Sequence, residues 1–243
     1  MVQQKVLITG ATSGIGQQLA LDYDKAGWQV IACGRNTEKL NQLKELAPDI
    51  LCLKFDVTRE SQTRDAIGQL KVIPDLWIFN AGDCEYIEKG VLDIALFDRV
   101  MKINLYGLVH CITASQVHFK AGQHVAIVTS IAGEVALPRA EAYGASKAAV
   151  TYLGHCIKIP LERRGLNVSL VFPGFVKTPL TDRNTFPMPM RVDCAFASRK
   201  IRQGLAKKKS DIYFPFLFTL FLRLIAVLPY SVQHKLVSYA IST

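Results

Sequence analysis

The run Lys5-Val6-Leu7-Ile8 passes without a linker into Thr9-Gly10-Ala11-Thr12-Ser13-Gly14-Ile15-Gly16, and from there into an amphipathic pattern that lasts through Ala26. Short apolar run, glycine-rich turn and amphipathic segment read in that order as a buried strand, a tight turn and a helix. Glycine permits the turn and lets backbone come close to a ligand, while the unpaired N–H groups of the helix N-terminus supply donors and positive potential for a phosphate. The opening segment therefore reads as a nucleotide cradle. Its spacing, Gly10, Gly14 and Gly16, is GxxxGxG and not GxGxxG.

The same alternation continues along the chain. Strand patterns fall near 4–9, 28–33, 50–55, 75–79, 123–129, 166–172 and 211–214, with helical patterns between them. Thr37 and Thr58 stand where a side-chain oxygen caps a following helix, and Leu92 to Ser115 has the apolar spacing of one long packed helix. This order predicts an α/β fold, a doubly wound parallel sheet of the Rossmann type with about seven strands and helices on both faces. In such a sheet ligands bind beyond the carboxyl ends of the strands, where the strand order reverses. With 243 residues, no repeat and no low-complexity linker, residues 1–243 read as a single domain.

A second group of residues carries chemistry. Ser130 follows a strand pattern, and Tyr143 and Lys147 lie four residues apart on one helix face, so an ammonium can stand beside a phenol. A phenol of ordinary pKa, about 10, must be tuned before it serves near neutral pH. Taken singly, the pair matches a solvated helix face and Ser130 a strand end.

Together these segments resemble the short-chain dehydrogenase/reductase family from about Lys5 to Thr178. The fingerprints are the Thr9–Gly16 turn, Asp56-Val57, Asn80-Ala81-Gly82, Asn104, Ser130, Tyr143 with Lys147, and Pro173-Gly174 with Thr178. The resemblance implies an oxidoreductase that interconverts a carbonyl and an alcohol. Tyr143 would be general acid or base, Ser130 would hold the reacting oxygen, Lys147 would lower the phenol's pKa and hold the nicotinamide ribose, and Asn104 would anchor a water relaying protons toward Lys147. Cofactor contacts would come from Gly10, Thr12, Ser13, Gly14, Ile15, Gly16, Arg35, Asp56 and Val57 at the adenosine and pyrophosphate end. Asn80, Ala81, Gly82, Tyr143, Lys147, Pro173, Gly174, Val176 and Thr178 would complete the set, with Asp56 accepting from the adenine amino group. No metal is implied. A non-catalytic dinucleotide sensor on the same fold is the contrasting expectation.

The end of the second strand pattern, Ala32-Cys33-Gly34-Arg35-Asn36, lacks the acidic residue that accepts ribose hydroxyls and offers Arg35, which suits a 2′-phosphate. NADP is favoured, with NAD the alternative, because Ser13 leaves the glycine turn without a second basic marker.

The resemblance implies a variable substrate loop over about 178–209. Its segment Thr185-Phe186-Pro187-Met188-Pro189-Met190 suits either a lid over an apolar ligand or ordinary packing. The apolar C-terminal segment, about 212–229, includes Phe214 to Leu228, FPFLFTLFLRLIAVL, which is short for a bilayer span. Packing in the core or a homodimer contact is the favoured reading. Peripheral membrane contact, aided by Lys207-Lys208-Lys209, is the other. The net charge of +9 is spread along the chain without a nucleic-acid-binding signature, so nucleic acid is discounted. The six cysteines, Cys33, Cys52, Cys84, Cys111, Cys156 and Cys194, are scattered and read as reduced thiols. With no leader pattern at the N-terminus, the expectation is a cytoplasmic protein, membrane association aside, and the resemblance implies a homodimer or homotetramer.

Overall fold

A computed structural model describes residues 3–183 and 188–242. Its centre is one parallel sheet with strands β1 (Lys5–Thr9), β2 (Gln29–Gly34), β3 (Leu51–Lys54), β4 (Leu76–Phe79), β5 (His124–Val128), β6 (Asn167–Pro173) and β7 (Asp211–Phe214) in the spatial order β3-β2-β1-β4-β5-β6-β7. The sequence-based strands agree with these to within one or two residues. Between β1 and β4 the order reverses, with Val6 opposite Leu76 and Ile8 opposite Ile78. That is where two neighbouring connections depart to opposite faces and leave a crevice.

Strand alternation divides the core. Val6 and Ile8 point to one face, where they join Leu19, Ala197 and Ile201, while Leu7 points to the other with Trp77, Ile112 and Leu170. Central strands are buried on both faces, as their near-continuous apolar sequences require; edge strand β3 is largely exposed. Helices α1 (Gly14–Lys25) and α7 (Cys194–Ala206) cover the first face. Helices α5 (Gly107–Ser115) and α6 (Glu141–Arg163) contribute to the second.

Several expectations require correction. Helix α2 (Thr37–Leu46) is capped by Asn36, whose side chain accepts from Lys39 N–H, and Thr37 is already inside it. Thr58 does not cap α3 (Glu60–Gly68), whose N-cap is Arg59; its amide and hydroxyl both donate to Asp56 Oδ1 instead. The Leu92–Ser115 pattern begins as α4 (Ile94–Met101) behind the cap of Asp93 and is interrupted by a π-helical turn, Lys102–Tyr106, before α5. A π-turn inserts a residue into the helical ladder and re-aims side chains around it. The 178–209 loop is shorter than expected, since α7 occupies its second half. Thr185, Phe186 and Pro187 lie outside the described residues. Lastly, the apolar segment forms α8 (Phe216–Ala226), followed by α9 (Tyr230–Ser242), and α8 buries one side only: Thr219, Leu222 and Ile225 face inward.

Candidate active site

The crevice at the switch point opens into a cavity of about 410 Å³ that runs from the glycine turn to the end of β6. Backbone geometry shapes its floor. Gly10 has φ +67° and its missing Cβ would stand 2.8 Å from Ala81 Cα, while a Cβ on Gly16 would stand 2.2 Å from the carbonyl oxygen of Gly10. Neither space admits a side chain, so the turn closes only with glycine. Ser13 is the extended N-cap of α1, and its side chain makes no cap hydrogen bond. The adjoining strand end is clamped across the switch point: Thr9 Oγ1 accepts from the amides of Asn80 and Ala81 at 2.9 and 3.1 Å, and Asn80 Nδ2 donates to Thr9 O at 3.1 Å.

Most of the expected cofactor residues line this cavity, namely Gly10, Thr12 to Ile15, Arg35, Asp56, Val57, Asn80 to Gly82, Tyr143, Lys147, Pro173, Gly174, Val176 and Thr178. Gly16 does not; it is buried beneath the turn, where its absent side chain permits the close approach to Gly10. Arg35 is largely exposed at the outer end and stands 3.9 Å from Asp56 Oδ2. Lys39, missed by the sequence reading, lines the same end; its place one turn inside α2, after the Asn36 cap, was the available signal.

Ser130, Tyr143 and Lys147 meet at the opposite end. Ser130 follows β5 and begins a short 3-10 turn, where its Oγ accepts from Ala132 N–H at 3.1 Å. It also hydrogen-bonds to the Tyr143 side chain, which favours ionisation of the phenol. Burial, seconded by Cys84, outweighs that bond and pushes the phenol above its ordinary value. Lys147 Nζ lies 5.9 Å from the Tyr143 ring centroid and donates to Val128 O at 3.0 Å. Burial depresses its pKa from 10.5 to about 8, and Cys84 opposes that shift. The expected lowering of the phenol by Lys147 is therefore not the controlling effect in the free chain, where desolvation dominates.

Asn104 does not line the cavity. It lies buried one layer behind, on the π-turn, with Oδ1 accepting from Asp83 N–H at 2.8 Å and Nδ2 donating to Asp83 O at 2.9 Å and Ser146 Oγ at 2.8 Å. Both amide protons are thus committed, and the side chain works as a clamp between the Gly82-Asp83 loop and α6. Cys84 was read among the scattered packed thiols. It is packed, and burial pushes its thiol up to about 12, yet it adjoins Tyr143 and Lys147.

A nucleotide-sized cleft at the switch point of a parallel sheet, with a phenol, a hydroxyl and an amine converging at one end, defines a dinucleotide-dependent class of α/β enzymes. The short chain dehydrogenase family model matches residues 4–187, and the chain belongs to that family. An uncharacterized oxidoreductase of Myxococcus xanthus is 30% identical over 239 residues, covering 94% of each chain. Dehydrogenase/reductase SDR family member 7B of Mus musculus is 28% identical, covering 85% of this chain and 72% of its own. A short chain dehydrogenase from Burkholderia cenocepacia, solved in complex with NADP, superposes with a TM-score of 0.85 at 23% identity, covering 96% of this chain and 97% of its own. A relative from Burkholderia phymatum, solved with NAD, gives a TM-score of 0.81 at 19% identity, with 91% and 92% coverage.

Proposed function

We propose that the protein is an NADP-preferring oxidoreductase that interconverts a carbonyl and an alcohol, with Tyr143 as the general acid or base. The observation that carries this reading is the convergence of Tyr143, Ser130 and Lys147 in the same cavity whose far end holds Arg35 and Lys39. Two solved relatives with NADP or NAD bound support the cofactor class.

The cavity fits such a dinucleotide. The glycine turn presents backbone in a space that no Cβ can enter, and the N-terminus of α1 offers donors to the pyrophosphate. Arg35 and Lys39 suit a 2′-phosphate, and no carboxylate ends β2. When bound, the nicotinamide supplies or accepts the hydride.

This chain's own residues supply the rest. Ser130 Oγ donates to the substrate oxygen and holds it against the Tyr143 hydroxyl. In the reductive direction Tyr143 gives its proton to that oxygen, and its high pKa in the free chain keeps the proton in place until substrate arrives. Lys147 stabilises the phenolate that forms, because a buried ammonium acts in a medium that screens it weakly. Asn104 is a positioning residue, fixing α6 through Ser146 and the loop through Asp83.

Tyr143→Phe tests the assignment. The variant should bind NADPH with unchanged affinity, measured by fluorescence, while turnover on a carbonyl panel falls by about 10²- to 10⁴-fold. Turnover near that of the parent removes Tyr143 from the chemistry. Homo-oligomerisation also belongs to this reading, supported by the exposed Val109 on α5 and Tyr152 and Ile159 on α6. Sedimentation of Tyr152→Glu should show a smaller species; an unchanged mass would rule out that face.

A further inference from the structure

Helix α8 has the sequence FLFTLFLRLIA, and nothing in it is charged except Arg223. Its inner residues Leu222 and Ile225 pack on Ile131 and Val135, directly after Ser130. Its outer residues are apolar too: Phe216, Leu217, Phe221 and Leu224 are 69%, 65%, 60% and 59% exposed. With Leu220 they fall within an arc of about 140° at 3.6 residues per turn, and Val227 and Leu228 continue the same stripe beyond the helix end. An exposed apolar stripe of this kind marks a surface that something covers.

Charge identifies the cover. From Ile212 to the last residue the sequence contains no Asp or Glu, whereas Arg223 and Lys235 are present and exposed. Arg223 borders the stripe, its guanidinium 4.1 Å over the ring of Tyr213. A two-fold contact between copies would set these positive groups together with no carboxylate in the segment to neutralise them, and Glu134, beside Tyr213, already accepts from the Tyr213 hydroxyl. An anionic headgroup layer supplies the missing charge, while the acyl boundary takes the apolar stripe.

Helix α8 is also too short to span. Eleven residues reach about 16 Å, against a hydrocarbon core of about 30 Å. Among the described residues no helix is long and apolar enough to cross a membrane. The Lys207-Lys208-Lys209 triplet does not assist, because it precedes β7 whereas α8 leaves from the strand's other end.

We propose that the outer faces of α8 and the start of α9 form a docking surface for an anionic lipid bilayer, on which the protein lies with α8 in the interface plane. The inner side of the same helix packs behind the active-site wall. The Phe218 ring lies tilted against Phe175, centroids 5.3 Å apart, and fills the space that a Cβ on Gly174 would need, and Gly174 lines the cavity. Docking therefore brings the site to the bilayer surface. This surface stands independently of the proposed reaction.

The experiment is flotation of the full chain with vesicles of phosphatidylcholine alone and of phosphatidylcholine mixed equally with phosphatidylglycerol. Binding is expected to the anionic vesicles, to weaken with added salt, and to fall by at least about tenfold in the double variant Leu217→Ser/Phe221→Ser. Both side chains are solvent-exposed, and an unchanged thermal melt checks that the variant folds. Hydrogen exchange of the parent chain is a second measurement, with protection on vesicle addition expected across α8. Overturning results are no flotation, equal binding to neutral vesicles, flotation undiminished in the variant, exchange protection elsewhere, or a dimer that the same substitutions dissociate without any vesicle binding.

Discussion

Lys147 buries an ammonium that the folded chain would be more stable without, and the cost depends on pH in a way that can be measured. Folded Lys147 titrates at about 8 and an ordinary lysine at 10.5, so the unfolded chain binds the extra proton between those values. Stability of the parent protein therefore rises with pH across that window, and below pH 8 the full penalty is present. The gap corresponds to about 3 kcal/mol, and losing the hydrogen bond to Val128 O offsets about 1 kcal/mol of what a substitution would recover. Lys147→Met, which keeps the stem and removes the charge, should thus be about 2 kcal/mol more stable than the parent at pH 7. Its advantage should shrink and reverse as pH approaches 10.5.

Urea denaturation of both proteins at intervals from pH 7 to pH 10 gives the difference directly, and other groups titrating in that range cancel between them. At neutral pH the melting midpoint of the variant should be about 5 °C higher, given the size of the chain. A difference that stays constant with pH, or a variant less stable than the parent at pH 7, would refute burial as the cause of the lysine's shift.

Arg35→Ala should lower catalytic efficiency with NADPH by about 10- to 100-fold, the worth of one charged hydrogen bond, and leave efficiency with NADH within about twofold. Equal losses with both cofactors would mean that Arg35 does not read the 2′-phosphate. His124 is buried, its Nε2 donating to Ser169 Oγ at 2.8 Å while the serine hydroxyl donates to Lys209 O. Burial, with help from Lys208, lowers its pKa from 6.5 to about 4. The folded chain resists the proton that the unfolded chain accepts, so stability should fall as pH drops from 6.5 toward 4, by up to about 3 kcal/mol. His124→Gln should flatten that part of the urea-derived profile; an unaltered slope would exclude His124 as its source.

The parallel sheet was legible because each strand is a short apolar run between helical periods, and burial on both faces leaves little freedom in such runs. Ser130, Tyr143 and Lys147 were legible for a different reason, their fixed distance along the chain from strand end to helix face. Helix beginnings were less so. Asn36 and Thr37 are neighbours, both able to cap, and only the fold decides that Asn36 reaches Lys39 N–H. The π-turn at Lys102–Tyr106 has no signature in an apolar helical pattern, since inserting one residue into the ladder leaves the composition untouched. Lys39 escaped notice, and Cys84 was legible only as a packed thiol, because their relevance comes from neighbours distant in sequence: the rim of the cavity for one, Tyr143 and Lys147 for the other.

That π-turn explains how the site tolerates its own cost. A buried ammonium keeps its lowered pKa only while its surroundings hold it in place at the cavity wall, and Asn104 contributes to that hold. Asn104, carried on the turn, grips Asp83 on one side and Ser146 on the other, and Ser146 immediately precedes Lys147 on α6. Ser146 Oγ in turn donates to Tyr143 O, so the residue that Asn104 holds also ties the two titratable side chains to one helical turn. Removing the Asn104 amide would take its hydrogen bonds from the Asp83 backbone and from Ser146, and loosen the hold on α6. Lys147 could then reach solvent and regain an ordinary pKa, and the phenol would lose the weakly screened charge that stabilises its anion. Stability given up at Lys147 and the clamp at Asn104 are accordingly two parts of one device, in which a rigid second layer keeps a charge where solvent would otherwise relax it.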